Sequence, residues 1–167
     1  RHLPWDRMMD VLLPQRQVTL EMVARVAEKL VDFHTKAETN QEIAAFGGLD
    51  VVRRNCDENF AQTEKHIGIS ITAEEYRRIK RCTNNFIDSN ARLFGRRVRE
   101  GKIRDCHGDL HLDHIHLTPR SLHIYDCIEF NDELRFIDVL NDVAFAFMDL
   151  IDHGLEPLAW RLLGRYL

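Results

Sequence analysis

Apolar residues at helical spacing run through most of the chain and predict a mainly helical fold. The clearest case is the run Val23, Val26, Ala27 and Leu30, which follows Thr19, a residue with the side chain of a helix N-cap. The same spacing, with capping residues and glycine ends, predicts further helices. The predicted helices are Leu20 to Lys36, Leu49 to Glu64, Thr72 to Arg99, Ile137 to Asp152 and one that begins near Glu156.

The pattern changes from helical to strand-like after the third of these helices. Two short apolar runs, Ile115 to Thr118 and Leu122 to Tyr125, are joined by Pro119-Arg120-Ser121, which is typical of a turn. These runs predict one small β-hairpin. We expect it to pack on the Thr72 to Arg99 helix, which is long enough to be the spine of the domain. Loops are predicted at 1–14, with one short turn around Trp5 to Leu13, at 37–48 and at 127–135.

Polar residues with metal-binding and acid–base chemistry are concentrated just before the hairpin. Four histidines and two aspartates lie within the ten positions from His107 to His116, and Gly108 stands where the backbone needs freedom to bend. Asp109 precedes the hairpin and Asp126 follows it, so we expect the two carboxylates to lie close in space. Such a pair is suited to a cation site or to acid–base catalysis.

Composition places the chain among globular proteins. It has 167 residues, 44% of them hydrophobic and 30% charged, which predicts a single domain, 1–167, with one sizeable core. The net charge of −4 gives no reason to expect nucleic acid as a partner, and no apolar run is long enough to predict a membrane span. Four widely spaced cysteines without a CxxC pair predict free, mostly buried thiols in a reducing cytoplasm.

Both ends suggest a piece of a longer protein. The first residue is Arg1 rather than Met, and the last helical pattern reaches Leu167 without a cap.

Three segments together resemble a known family. His107-Gly108-Asp109-Leu110-His111, Ile124-Tyr125-Asp126 and the run from Ile137 to Ala144 resemble, in order and spacing, the signatures of aminoglycoside phosphotransferase-like kinases. The phrase from Asp126 to Asn131 is most similar to an uncharacterised bacterial branch, in which a similar domain is often fused to a P-loop kinase-like domain. The resemblance covers most of the chain, and Phe33-His34 also matches.

The resemblance implies a protein-kinase-like fold, of which this chain is the helical C-terminal lobe. The glycine-rich nucleotide loop and the strand lysine of such kinases are not found in the sequence. They would belong to the protein's own N-terminal lobe, upstream of Arg1. The implied activity is transfer of phosphate from ATP to the hydroxyl of a small molecule, with Mg²⁺ or Mn²⁺, and the isolated chain is expected to be inactive.

The resemblance also assigns roles to individual residues. Asp109 would orient or deprotonate the acceptor hydroxyl, His107 would brace the loop, and His111 would approach the transferred phosphate. Asp126 would bind the cation that bridges the ATP phosphates. Asp138, with Asp142 one turn later on the same helix face, would support the catalytic loop.

His114 departs from the family pattern. It stands where the family has an asparagine as second cation ligand, five residues after Asp109. Magnesium prefers oxygen ligands, whereas imidazole suits softer ions. We therefore expect Asp126 and His114 to form the metal and nucleotide site, with a cation identity that depends on His114.

Two other functions are compatible with the sequence. One is a kinase-like fold that has lost catalysis and serves as a binding or regulatory module. The other is a divalent-metal hydrolase built on the clustered residues His107, Asp109, His111, His114 and His116, although no HExxH motif is present. For several polar residues we expect only structural roles: His34 as a core histidine bonded to backbone, His116 and His123 in packing or at the surface, and Asp105 and Asp113 in solvent.

Overall fold

The computed structural model describes residues 3–167, so the first two residues of the predicted 1–14 loop lie outside the described range. The described chain is mainly helical, as predicted. Its helices are a 3₁₀ turn at Trp5–Arg7, α1 (Met9–Leu12), α2 (Leu20–Lys36), α3 (Gln41–Ala45), α4 (Leu49–Glu64), α5 (Ala73–Ser89), α6 (Ala91–Arg99), a 3₁₀ turn at Leu112–His114, α7 (Asp132–Arg135), α8 (Val139–Asp152) and α9 (Glu156–Tyr166). Its strands are β1 (Ile103–Asp105), β2 (Ile115–Leu117), β3 (Leu122–Ile124) and β4 (Phe136–Asp138).

The described chain forms two compact units. The first comprises residues 3–38 and 104–167, and the second comprises Thr39–Ile103. The sequence analysis treats 1–167 as a single domain, and that stays a prediction about how the chain folds.

The core of the first unit lies between α2, α8 and α9. Their apolar faces meet the buried loop and hairpin residues Leu110, Leu112, Ile115 and Leu117. Burial of a large apolar side chain contributes roughly 1.5–3 kcal/mol, so this shared core fixes the loop against the helices. The core side chains of the three helices are Val23, Val26, Ala27, Leu30, Val143, Ala146, Leu150, Ala159 and Leu162.

Two two-stranded sheets flank this core. Strands β2 and β3 pair antiparallel, with Ile115 opposite Ile124, and Thr118 closes the turn by bonding to Ser121. The predicted hairpin is therefore confirmed. Strands β1 and β4 form a second sheet that the sequence analysis did not predict, because three-residue strands leave too short an alternating pattern to recognise.

The second unit consists of α3 to α6. A capping box between Thr72 and Glu75 starts α5, and the buried Tyr76 donates its hydroxyl hydrogen to the carbonyl of Phe60 on α4 at 3.0 Å. The single helix predicted from Thr72 to Arg99 is wrong. Asn90 divides it, because its side chain amide bonds to the Phe86 carbonyl and its backbone leaves the helical region.

Other boundaries differ in smaller ways. The bounds predicted for α2 and α4 are confirmed, whereas the helix predicted from Ile137 begins at Val139, after β4. Short helices α3 and α7 lie in segments predicted as loops. The hairpin packs within the first unit, against α1 and the 3₁₀ turn Trp5–Arg7. The sequence had instead predicted that it packs on the Thr72 to Arg99 helix.

All four cysteines are free, but of these only Cys106 is buried, so the expectation of mostly buried thiols is wrong. Cys82 on α5 and Cys127 after the hairpin are exposed, and Cys56 is intermediate. Within residues 3–167, no helix combines the length and the apolar character needed to cross a membrane.

His116 gives a prediction about stability. Its side chain is 2% exposed, and among the described residues neither ring nitrogen has a hydrogen-bond partner. Burying such groups unpaired costs free energy. We expect His116→Leu to raise the free energy of unfolding by about 1 kcal/mol, measured by urea denaturation.

His123 is the matched control, because it faces His116 across the hairpin but is exposed. We expect His123→Leu to change the stability by less than about 0.5 kcal/mol. A clear loss of stability in His116→Leu would contradict the prediction and would mean that buried water satisfies the ring.

Candidate functional site

The clustered histidines and aspartates lie on the loop that connects β1 to β2 in the first unit. Gly108 has a φ of +85°, and a Cβ at this position would meet the Leu134 carbonyl oxygen at 2.6 Å. Glycine is therefore required here both by the backbone conformation and by the close approach of a neighbouring chain segment. The loop turns at this point and carries Asp109 away from the core.

Asp142 holds this turn from α8. Its two carboxylate oxygens accept the backbone N–H groups of His107 and Gly108, each at 2.8 Å, and the side chain has no solvent exposure. A third donor, His34 Nε2, lies 3.1 Å from one of these oxygens. The carboxylate is thus bonded to two loop amides and one imidazole, and such charge-assisted bonds are stronger than neutral ones.

The far side of His34 contacts Tyr166, whose hydroxyl lies 2.8 Å from Nδ1. His34 was expected to be a core histidine bonded to backbone. It is buried, but its partners in the structure are two side chains from α8 and α9. The sequence analysis missed Tyr166 because a tyrosine near the end of an amphipathic helix gives no sign of a polar partner.

Asp138 begins the same helix. Its carboxylate accepts the N–H of Leu140 at 2.9 Å, which is an N-cap bond. Of the two aspartates predicted to support the loop, Asp142 therefore bonds to the loop amides, and Asp138 caps the helix that carries Asp142.

His107 joins the loop to the end of the hairpin. Its Nε2 lies 2.7 Å from the backbone carbonyl of Tyr125, which can only accept, so Nε2 carries a proton. Its Nδ1 accepts the backbone N–H of Asp109 at 3.3 Å, so this ring is neutral. One imidazole thus fixes the backbone of Asp109 and that of the residue before Asp126.

Asp126 has an unusual backbone conformation. Its φ is +63°, in the left-handed region that residues other than glycine adopt rarely and that aspartate tolerates better than most. The side chain is 74% exposed. A strained, exposed aspartate at the end of a hairpin is a feature that stability alone does not favour, and such conformations are concentrated at functional sites.

His114 contacts both predicted site aspartates. Its Nδ1 donates to the backbone carbonyl of Asp109 at 2.7 Å, and its Nε2 lies 3.6 Å from a carboxylate oxygen of Asp126. When Nδ1–H bonds to a carbonyl, the neutral ring has its lone pair on Nε2, which is the usual arrangement of a metal-ligating histidine. His114 and Asp126 can therefore present one nitrogen and one oxygen ligand to the same cation.

His111 lies between two carboxylates. Its Nδ1 is 2.9 Å from Asp149 on α8, and its Nε2 is 3.3 Å from the carboxylate of Asp109. The same Asp149 oxygen accepts the backbone N–H of Leu112 at 3.0 Å. Asp149 was not predicted as a site residue. The sequence feature that could have indicated it is its spacing of seven residues from Asp142, which places it two turns further along the same face of a mostly apolar helix.

Two groups near the loop have shifted pKa values. Partial burial lowers the pKa of His111, but the hydrogen bond and charge of Asp149, with the charges of Asp109 and Asp113, outweigh it and raise the pKa above its ordinary value of 6.5. Burial, together with the nearby charge of Asp142, raises the pKa of the Cys106 thiol far above its usual range. Cys106 is therefore an unreactive thiol that packs beneath the loop.

The remaining clustered residues have separate surroundings. His116 is buried in the hairpin and His123 is exposed, while Asp113 is exposed, with its carboxylate 3.8 Å from His114 Nε2. Asp105 is partly buried and lies 2.9 Å from the Arg135 guanidinium, so the expectation that it is solvated is wrong. Within residues 3–167, the group of three donors close enough to share a metal ion is His34, Cys106 and Asp142. All three are buried, and Cys106 donates its thiol hydrogen to the Ile137 carbonyl at 3.5 Å.

Comparison with known proteins identifies relatives but no activity. A protein of Mycobacterium bovis and proteins of two strains of Mycobacterium tuberculosis are each 36% identical to this chain over 141 residues. The match covers 84% of this chain but 28% of each relative, and all three relatives are named only as uncharacterised proteins. No family model matches the chain, and no solved structure matches it.

Asp142 gives a prediction about the loop. In Asp142→Asn, one accepting oxygen becomes an NH₂ group, which cannot accept the amide hydrogen of His107 or Gly108. A buried amide is left unpaired, so we expect the free energy of unfolding to fall by about 3 kcal/mol in urea denaturation.

Asp138→Asn is the matched control, because asparagine caps helices about as well as aspartate and the substitution removes the same charge from the same helix. We expect a change below about 0.5 kcal/mol. Equal losses in the two variants would contradict the view that Asp142 specifically supports the loop.

The raised pKa of His111 predicts a pH-dependent contribution to stability. A group whose pKa is higher in the folded state stabilises that state fully below its unfolded pKa, and the contribution is lost as pH rises through the folded pKa. We expect Asp149→Asn to lower the thermal midpoint more at roughly pH 5.5 than at roughly pH 9. Asp152→Asn, an exposed position on the same helix, should show a pH-independent effect, and a pH-independent deficit in Asp149→Asn would contradict the prediction.

Proposed function

We propose that the chain is the catalytic-loop lobe of an ATP-dependent phosphotransferase that acts on the hydroxyl of a small molecule. The observation that carries this proposal is the position of His114. One ring nitrogen bonds to the backbone of Asp109, and the other faces the carboxylate of Asp126. A candidate base and a candidate cation ligand from opposite ends of the hairpin are thereby linked through one side chain.

The chemistry needs little more from this lobe than position and charge. Phosphoryl transfer is catalysed mainly by alignment of the reactants and neutralisation of the phosphates. Asp109, whose side chain is 42% exposed, can orient the acceptor hydroxyl and receive its proton as the new O–P bond forms and the bond to the departing ADP breaks. A divalent cation held by Asp126 and His114 would neutralise the phosphates of ATP.

The Asp126 carboxylate and the His114 imidazole together fit a divalent cation that accepts nitrogen as well as oxygen ligands. Asp126 offers a carboxylate, which Mg²⁺ and Mn²⁺ both accept. The imidazole of His114 is a softer ligand, so the site should favour Mn²⁺ more than an aspartate–asparagine pair would. The remaining ligands would come from water and from the phosphates themselves.

The nucleotide-covering elements would come from a part of the protein outside this chain. The curated relatives are long enough for such a part, since the match covers 28% of their length. In this proposal the protein's own N-terminal lobe, and a fused P-loop kinase-like domain where one exists, are partners of the chain. We propose a cytoplasmic setting, because the substrate is ATP.

The metal hydrolase is less well supported by the geometry. Its five proposed ligands bond to different partners: His107 to the Tyr125 carbonyl, His111 to Asp149 and Asp109, His114 to the Asp109 backbone, while His116 is buried elsewhere in the hairpin. A single ion needs its ligands to converge. The non-catalytic binding module differs from the phosphotransferase only in activity, so the experiment below decides between them.

The test is phosphate transfer by the full-length protein that carries this chain. Radiolabelled ATP would be incubated with a panel of sugars, amino sugars and amino alcohols, with Mg²⁺ or Mn²⁺. We expect Asp109→Asn to lower kcat at least about 100-fold without changing the thermal midpoint, because this half-exposed carboxylate has a small role in stability. Absence of transfer by the unmodified protein with either ion would favour the binding module.

His114 allows a sharper test of the cation site. His114→Asn supplies an amide oxygen in place of the imidazole, and we expect it to raise the ratio of Mg²⁺-supported to Mn²⁺-supported activity about tenfold. His123→Asn, on the exposed face of the hairpin, is the control and should leave the ratio unchanged. The ratio is measured within one variant, so differences in folding cancel. An unchanged ratio in His114→Asn would mean that His114 is not a ligand.

A further inference from the structure

Asp149 accounts for the orientation of His111. It lies on α8 two turns beyond Asp142, and one of its oxygens accepts both the Leu112 N–H and the His111 Nδ1–H. Because a carboxylate only accepts, Nδ1 carries the proton. The opposite nitrogen, Nε2, lies 3.3 Å from the Oδ1 atom of Asp109, and the ring forms an ion pair with that carboxylate when both of its nitrogens are protonated.

A second contact restrains the same ring. Phe145, one turn before Asp149 on α8, packs edge-to-face against His111 with the ring centroids 5.2 Å apart. The bond to Asp149 therefore restrains rotation of the His111 side chain, and the packing of Phe145 restrains the tilt of its ring plane. Both restraints come from the helix that also holds the loop backbone through Asp142.

We propose that Asp149 is a positioning residue for phosphoryl transfer, acting through His111 to fix the carboxylate of Asp109. This inference rests on the proposed function. With Oδ1 of Asp109 in contact with His111, Oδ2 is left to meet the acceptor hydroxyl. During transfer the hydroxyl proton passes to Asp109 while the O–P bond forms and the bond to ADP breaks, and the protons on both nitrogens of His111 stay in place.

Support of the loop alone does not explain this arrangement. Asp142 already bonds to two backbone amides of the loop, and Asp149 holds the loop backbone through the Leu112 amide, which does not require the bond to His111. The additional bond to His111 constrains a ring that is 38% exposed and whose far edge meets the candidate base. Misplacement of a catalytic group by small distances costs rate, so an indirect restraint of this kind has a catalytic consequence.

His111 can be replaced so that only one of its two contacts survives. The side chain amide of asparagine coincides with the Nδ1 edge of histidine, and that of glutamine coincides with the Nε2 edge. His111→Asn should therefore keep the contact with Asp149 and lose that with Asp109. His111→Gln should keep the contact with Asp109 and lose that with Asp149.

The experiment is a double-mutant cycle in the full-length protein, with kcat and KM measured separately for ATP and acceptor. We expect Asp149→Asn to lower kcat about tenfold, with KM changed less than about twofold, because the effect is on alignment rather than binding. His111→Asn should lower kcat at least as much. In the His111→Gln background, Asp149→Asn should have no further effect on kcat, because the residue through which Asp149 acts has lost that contact.

Asp152→Asn removes the same charge from the exposed end of α8 and should leave kcat unchanged. Two results would overturn the inference: an unaltered kcat in Asp149→Asn, whether or not KM rises, or an undiminished effect of Asp149→Asn on kcat in the His111→Gln background. The proposed function fails separately, when the unmodified protein transfers no phosphate, and this inference then fails with it.

Discussion

The structure of the site depends on one buried carboxylate. Asp142 is inaccessible to solvent and accepts two consecutive backbone amides of the loop together with an imidazole nitrogen. An ionised group in such a place is costly unless every oxygen is bonded, and here both are. The carboxylate therefore holds the loop in one conformation, since movement of the loop would remove two of the three groups that are bonded to the buried charge.

Histidines that bond to this fixed loop hold the exposed site residues in position. His107 extends the fixed loop to the carbonyl of Tyr125, and His114 extends it from the Asp109 carbonyl to the Asp126 carboxylate. Each imidazole ring has two nitrogens that point in different directions, so one side chain can bond to two chain segments. The cluster of histidines in the sequence is thus explained mainly by bridging, with His114 the one whose free nitrogen faces a possible ligand partner.

The sequence predicts most of the helical fold and part of this site. Amphipathic spacing locates α2 and α4 to the residue, with α2 beginning after the Thr19 cap and α4 directly after Gly48. The break at Asn90 is missed because the apolar stripe continues through it, and the β1–β4 sheet because its pairing joins distant segments. Asp109 and Asp126 were predicted as a pair from their order around the hairpin and His114 from its place in the family resemblance, whereas Asp149 and Tyr166 required the packing of α8 and α9 to be known.

The aspartates of the site differ in whether they stabilise the loop or are available for chemistry. Asp142 is fully buried and multiply bonded, Asp149 is partly exposed and bonded to a ring and an amide, and Asp109 and Asp126 are the two most exposed of these four. Burial thus decreases from the helix toward the loop surface as the number of protein partners falls. A carboxylate with few protein partners keeps lone pairs for a hydroxyl or a cation. Aspartate therefore supports the loop where it is buried, at Asp142, and is available for ligands where it is exposed, at Asp109 and Asp126.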